Sequence, residues 1–278
     1  MDRKYGNTSF RCSRVVTRTY STSFSLGVMM LHPSLRDAIY SIYGFVRLAD
    51  EIVDTFHEFN KAELLQRFEE DFYRAMDEGI SLNPILNAFQ QTVKKYSIDD
   101  QLIQAFLSSM KSDLSKKEFN HQEIKNYIYG SADVVGLMCL KVFTGGNNER
   151  YEELKPFAMK LGSAFQKVNF LRDLNQDKNF LQRVYFPELN HHSLDTETKK
   201  IIIDDIESDF AEALKGINKL PNTSKGGVYT AFLYYRALLR KIKKTPPTEM
   251  VSARIRISNA RKTGLLLVAW ICVKLNVL

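Results

Sequence analysis

Two apolar stretches of this chain carry lines of carboxylates. In Tyr43-Gly-Phe-Val-Arg47-Leu-Ala-Asp50-Glu-Ile-Val-Asp54, a helical turn of about 100° per residue puts Tyr43, Arg47, Asp50 and Asp54 on one stripe. Their neighbours Ile42, Phe45, Val46, Leu48, Ile52 and Val53 are apolar. In Gln166-Lys-Val-Asn169-Phe-Leu-Arg172-Asp173-Leu-Asn-Gln-Asp177, the residues Gln166, Asn169, Asp173 and Asp177 form a second stripe, beside Phe165, Val168, Phe170, Leu171 and Leu174. Burying a carboxylate costs several kcal/mol unless it is paired or bound to a cation. Internal ion pairing is one answer, since Arg47 lies three residues before Asp50 and Arg172 adjoins Asp173. The other is a hard cation. Two carboxylates one turn apart give oxygens to magnesium and leave coordination positions for water and phosphate. Two facing helices with one Asp-x-x-x-Asp each would clamp diphosphates through a small metal cluster, and the duplication favours this reading.

Other chemistries lack their residues. The chain has no HExxH, P-loop, GxSxG or GxGxxG pattern. His191 and His192 are adjacent, which would aim them about 100° apart on a helix, and with Leu194 and Asp195 after Pro187 they read as loop. His32, His57 and His121 have no partner at ligand spacing and read as surface or cap residues; Cys139, among Leu137, Met138 and Leu140, reads as packing. Cys12, Cys139 and Cys272 form no CxxC pair, which fits a reduced cytosolic compartment and offers no zinc ribbon. Met1 to Phe10 is polar and charged, unlike a secretory signal.

The elements that must position the carboxylates read as helix after helix. The chain has 278 residues, 44% hydrophobic and 26% charged, enough for a large core. With 13 Gly and 7 Pro it is poor in the turn residues of a sandwich or barrel. Helical spacing covers 34–56, 61–77, 84–95, 99–114, 122–143, 151–177, 196–215 and 229–244. Gly130, Ser131, Ala132 and Gly136 would allow close helix packing, and Gly145-Gly146-Asn147-Asn148 is a loop. No linker divides the chain, so residues 1–278 are expected to form one all-α domain. Nine Lys and Arg against one acid, Glu249, fall between Arg236 and Lys262, more positive charge than the net +7 of the whole chain. That block is either a solvated basic face or a seat for an anionic partner: substrate phosphates, lipid head groups or nucleic acid. No RNA- or DNA-binding motif accompanies it, which argues against nucleic acid. The apolar run Gly264–Val273, broken by Lys274, falls short of the roughly 20 residues of a membrane span. It is either a buried terminal helix or a segment that touches a membrane surface.

At the two carboxylate stretches the sequence resembles the squalene/phytoene synthase family, whose second aspartate-rich helix opens with Gln-x-x-Asn-x-x-Arg, here Gln166, Asn169 and Arg172. Tyr20-Ser21-Thr-Ser23-Phe24 resembles the family's N-terminal segment, Tyr127-Ile-Tyr129-Gly-Ser-Ala-Asp-Val-Val-Gly136 its central helix, and Arg183-Val-Tyr185-Phe186-Pro187 its Arg-x-Tyr-Phe/Leu-Pro turn. The first motif is closer to phytoene synthases than to squalene synthases. The resemblance implies a helical bundle of the isoprenoid synthase type with a central cavity, joining two prenyl diphosphates head to head through a cyclopropylcarbinyl diphosphate. It implies magnesium, or manganese, on Asp50, Asp54, Asn169, Asp173 and Asp177, and no nicotinamide. It assigns catalytic roles to the aspartates with Tyr43, Arg47 and Tyr185. Substrate contacts fall to Ser21, Ser23, Arg47, Tyr127, Gln166, Asn169, Arg172 and Arg261, with Tyr235, Arg256 and Lys262 as further candidates. Glu51 and Gln176 depart from frequent family residues but lie off the stripes. Two geranylgeranyl diphosphates giving phytoene is the first expectation; two farnesyl diphosphates giving squalene or dehydrosqualene, a non-catalytic helical scaffold and a lipid-binding module are the alternatives. The expected location is the cytoplasm, with peripheral contact to the inner face of a membrane through the C-terminal region.

Overall fold

The computed structural model describes residues 3–177, 183–189, 194–252 and 254–275. Its α-helices are α1 (Arg3–Tyr20), α2 (Thr22–Met29), α3 (Pro33–Thr55), α4 (Lys61–Glu78), α5 (Pro84–Tyr96), α6 (Asp100–Asp113), α7 (His121–Ile128), α8 (Val134–Phe143), α9 (Asn148–Gln176), α10 (Thr196–Lys219), α11 (Asn222–Lys244), α12 (Pro247–Met250) and α13 (Asn259–Leu275). No strand occurs among the described residues; Glu118 and Val184 form an isolated bridge. This is the all-α bundle that the periodicity predicts.

Local chemistry sets the helix ends. The side chains of Asn60, Asn83, Asn147 and Asp195 accept bonds from the first-turn N–H groups of α4, α5, α9 and α10, and Asn120 and Glu123 form a capping box on α7. Pro33 and Pro84 open α3 and α5, where a missing N–H costs nothing. His32 caps α3 through Nδ1, as a cap reading of that histidine predicts. Gly145 and Gly146 turn the chain after α8 with φ of 61° and 83°.

Two cores result. Helices α3 to α6, α8 and the start of α9 enclose the first, with Phe45 stacked on Phe89 at 4.0 Å. The later part of α9 joins α7, α10, α11 and residues 183–189 around the second. Thus α3, with the first carboxylate stripe, belongs to one core, and the end of α9, with the second stripe, to the other. Helix α8 packs against both α3 and α9.

Three differences from the periodicity have physical reasons. Helices α1 and α2 lie outside the predicted set; α1 is amphipathic, but the face it buries carries glycine and hydroxyls in place of large apolar side chains. Ser9, Ser13 and Thr17 are fully buried and bond back to the carbonyls of Tyr5, Ser9 and Ser13, four residues earlier. The expected single helix 122–143 is two helices joined by a π-helical turn, Tyr129–Asp133. Gly130 there lies so close to α6 that a Cβ would stand 1.9 Å from Ser109 Oγ and 2.6 Å from the Ala105 carbonyl. Helix α11 starts at Asn222 rather than at 229, because Gly226 and Gly227 serve a helix crossing and not a break: a Cβ on Gly227 would lie 2.8 Å from the carbonyl of Gly27 in α2.

Asp133 ends the π turn, 6% exposed, and its Oδ1 accepts a bond from Ser163 Oγ at 2.9 Å. Burial pushes its carboxyl up to about 7, against the pull of the Ser163 bond. The folded chain therefore holds this proton more tightly than the unfolded one, whose carboxyl titrates near pH ~4. Its contribution is full below that pH and is lost as pH rises towards about 7. Asp133→Asn keeps the acceptor and removes the charge. Urea denaturation should find it more stable than the parent by about 2 kcal/mol at pH ~8 and indistinguishable at pH ~4.

Candidate active site

The first stripe runs along the half-buried face of α3. Tyr43 stacks on Phe24 of α2 at 4.6 Å, and burial pushes its hydroxyl up to about 12 against the pull of Arg47 and a hydrogen bond with Ser21. Arg47 pairs with Asp50 and with Glu51, and its guanidinium lies 4.4 Å from the Tyr20 ring centroid. Glu51 departs from the family pattern and lies off the carboxylate stripe, yet one turn after Arg47 it shares that guanidinium. Burial, then the charge of Asp54, pushes the Asp50 carboxyl up to about 7 in spite of Arg47. Asp54 accepts a bond from Arg183 Nη1 at 2.8 Å.

On α9, Asp173 accepts from Arg172 on its own helix and from Arg254, whose Nε lies 2.7 Å from Oδ1. Asp177 is pushed up to about 8 by burial, then by the charges of Asp173 and Asp54, against Arg183 and Arg172. Asp54 therefore lies within electrostatic reach of both Asp50 and Asp177 and ties the two stripes into one field. Asn169 Oδ1 accepts from the Tyr235 hydroxyl at 3.1 Å, and its Nδ2 donates to Gln166 Oε1 at 3.4 Å. Tyr235 stacks on Phe165 at 3.9 Å.

The other predicted residues fall around this field. Ser21 caps α2, its Oγ accepting from the Phe24 N–H at 3.2 Å, and Ser23 is half-buried in the same turn. Tyr127 and Tyr185 are buried and stack at 5.2 Å, with Phe170 4.1 Å from Tyr185. They back the carboxylate field: the Tyr127 hydroxyl donates to Asp113 Oδ2 at 2.8 Å, and Arg183 Nη1 lies 3.4 Å from the Tyr185 oxygen. Arg261 is exposed in the first turn of α13, while its neighbour Lys262 bonds Thr22 Oγ1 at 3.1 Å. The loop reading of His191 and His192 lies outside the described residues. Burial pushes the Cys139 thiol up to about 12, in keeping with a packing role.

Three residues absent from the predicted set join the site. Arg183, 6% exposed, links Asp54 to the carbonyl of Asp113 (2.8 Å) and lies 3.8 Å from the Asp113 carboxylate. Asp113 is buried, and burial pushes it up to about 7, against the pull of Arg183 and the Tyr127 bond. The rule that picks out the two stripes would also have found it: Ile103, Phe106 and Met110 are the apolar stripe of α6, and Asp113 is its next member. Arg254 belongs to the C-terminal basic block, which sequence alone does not connect to Asp173.

Among the described residues, no three His, Cys, Asp or Glu side chains converge on one point. The donor set nonetheless suits a hard divalent cation. It is made of carboxylate oxygens, and burial first, then the neighbouring carboxylates, raises the Asp50 and Asp177 carboxyls in spite of the arginines beside them.

A family model described as squalene/phytoene synthase matches residues 17–261, a span that takes in both stripes and every candidate above except Lys262. Phytoene synthase 1, chloroplastic, of Arabidopsis thaliana is 30% identical over 84% of this chain, which spans 59% of that relative. Phytoene synthase 2, chloroplastic, of Solanum lycopersicum is 30% identical over 84% of this chain and 80% of its own length. A dehydrosqualene synthase solved in complex with a ligand superposes with a TM-score of 0.82 over 98% of each chain, at 21% identity; that likeness shows the fold.

Asp113→Ala would leave the buried Tyr127 hydroxyl without its acceptor and Arg183 with one acidic partner fewer. We expect it to cost about 2 kcal/mol in urea denaturation, with Asp113→Asn recovering more than half. Glu153→Ala, which breaks an exposed pair with Lys219, should leave the midpoint unmoved.

Proposed function

The chain belongs to the squalene/phytoene synthase family of prenyltransferases, and we propose that it joins two geranylgeranyl diphosphates head to head to give phytoene. The observation that carries this reading is the pairing of two Asp-x-x-x-Asp stripes, mounted on separate cores and coupled through Asp54. The two relatives described above, both phytoene synthases, support the longer substrate.

Asp50, Asp54, Asn169, Asp173 and Asp177 would hold a divalent ion, magnesium in our reading with manganese as the alternative, which would supply Lewis acidity to a leaving diphosphate. The protein's own groups do the rest. Arg47, Arg172 and Arg254 lie on the carboxylates and offer forked donors to phosphate oxygens. Arg183, pinned by Asp113, orients Asp54. Loss of the first diphosphate leaves an allylic cation that alkylates the double bond of the second molecule, and loss of a proton from the resulting tertiary cation closes the ring of a cyclopropylcarbinyl diphosphate. Its ionisation and rearrangement, with proton loss, yield the linear hydrocarbon without a reductant. Such cations need aromatic faces and the exclusion of water, for which Tyr43, Phe24, Phe165 and Tyr235 stand beside the stripes.

A second reading, two farnesyl diphosphates giving dehydrosqualene, is favoured by the fold-level likeness to the dehydrosqualene synthase. Purified protein with magnesium, given each diphosphate separately without nicotinamide, distinguishes them by product mass. We expect a C40 triene from geranylgeranyl diphosphate; a C30 product alone would select the second reading. Asp50→Ala and Asp173→Ala should each lower turnover by roughly three orders of magnitude. If the parent makes no product and its melting temperature ignores magnesium plus a non-hydrolysable prenyl diphosphate, the chain is a scaffold.

A further inference from the structure

Helix α9 carries the second carboxylate stripe, but hydrophobic burial sets only loosely which way that stripe faces. At about 100° per residue, Leu161, Phe165, Val168, Phe170, Leu171 and Leu174 spread over more than half of its circumference. An arc so broad tolerates rotation of the helix at little cost, because one apolar side chain replaces another as it is withdrawn.

Two lysines interrupt that arc. Lys160, Ser163 and Lys167 follow at the i, i+3, i+7 spacing of one stripe, about a third of a turn round from Asn169 and Asp173. Lys160 Nζ donates to Asp209 Oδ1 and Lys167 Nζ to Asp209 Oδ2, each at 2.7 Å, and Lys167 pairs with Asp205 as well. Asp209 is 2% exposed, within α10. Ser163 Oγ, between the two lysines, donates to Asp133 at the end of the π turn. One polar cluster thus joins the π turn, α9 and α10. A buried ion pair gains little stability over apolar packing of the same shape. What it fixes is geometry: a carboxylate held by two ammonium groups two helical turns apart accepts one rotation and one register. At the other end of this contact, a Cβ on Gly216 of α10 would stand 2.2 Å from Phe157 Cβ, so the helices touch closely there. That point is roughly 18 Å along the axis from Asn169, and the lysine cluster is the anchor nearer the site.

We propose that Lys167 and Asp209 are positioning residues for the reaction: they set the rotation of α9 and so turn Asn169, Asp173 and Asp177 towards Asp50 and Asp54. They act through the helix, from a face that does not carry the donors. The inference rests on reading those carboxylates as the seat of a divalent cation.

Magnesium dependence at matched stability separates positioning from packing. Parent and variants would be melted across a magnesium titration at a fixed level of non-hydrolysable geranylgeranyl diphosphate, and product formation followed across the same titration. Lys167→Met with Asp209→Leu replaces the buried pair by apolar groups and leaves Lys160 and Asp205, 52% and 58% exposed, to water. Its melting temperature without ligand should equal or exceed the parent's. Its magnesium midpoint should rise at least about tenfold in both readouts, since donors out of place no longer share one ion. Lys167→Met alone, in which Lys160 still holds Asp209, should move the midpoint the same way, and it carries the comparison if the double variant is destabilised. Lys167→Arg keeps donors for both carboxylates and should stay within about twofold of the parent. A midpoint equal to the parent's in the folded variants would overturn the proposal and leave the cluster as a stabilising contact. A parent whose melting temperature ignores magnesium plus the analogue would overturn it together with the divalent-cation reading.

Discussion

Negative charge held half out of water is the constraint around which this molecule is arranged. Asp50, Asp54, Asp173 and Asp177 sit on otherwise apolar helices, and Asp50 and Asp177 lie where burial and then a neighbouring carboxylate raise the cost of ionising them. The fold answers with arginines from four different places: Arg47 on the first stripe, Arg172 beside the second, Arg183 from the segment after α9, and Arg254 from the C-terminal region. The pairings are shared: Asp173 meets both Arg172 and Arg254, Arg47 meets both Asp50 and Glu51, and Arg183 meets both Asp54 and Asp113. Burial, with the neighbouring carboxylates, still raises Asp50 and Asp177 to about 7 and about 8. A hard divalent cation suits such a set of half-buried carboxylate oxygens.

The supporting structure keeps the two stripes separate and yet coupled. Mounting them on different cores prevents the helices from collapsing onto each other, and α8 fixes their relative position by packing on both. The close approaches that make this possible require small residues at the crossings, as where Gly162 of α9 meets the Ala132 carbonyl of the π turn. Behind the carboxylates, the chain Tyr127–Asp113–Arg183–Asp54 runs from α7 through α6 and the 183–189 segment to α3. A change in any of these elements is felt at Asp54. The aromatic rings of Tyr185, Phe170 and Phe119 close around that chain and keep it dry.

Much of this was legible in the residues because carboxylates on apolar stripes are costly and therefore informative. The rule finds both stripes, and α6 shows that it reaches further, to Asp113. What the pattern hides is of two kinds. Hydroxyls that bond to their own helix, as Ser9, Ser13 and Thr17 do, look polar in sequence and behave as packing residues, so no large apolar side chain marks the buried face of α1. Glycine pairs such as Gly226-Gly227 read as breaks when their role is to let α11 approach α2. Neither is visible until the neighbouring helix is placed. Long-range partners are hidden for the same reason: nothing local to Arg254 points to Asp173, which lies 81 positions earlier.

Arg254 also changes the meaning of the C-terminal basic block. Arg254 is exposed, yet its Nε lies 2.7 Å from Asp173 Oδ1, while Lys241 Nζ donates to the Arg256 carbonyl close by. The block is therefore continuous from the carboxylate field to the beginning of α13. One end of it neutralises the site, and the other borders an apolar face that the rest of the protein leaves uncovered. Positive charge placed against half-buried carboxylates suits the phosphate oxygens of an anionic ligand, which the forked donors of the arginines match.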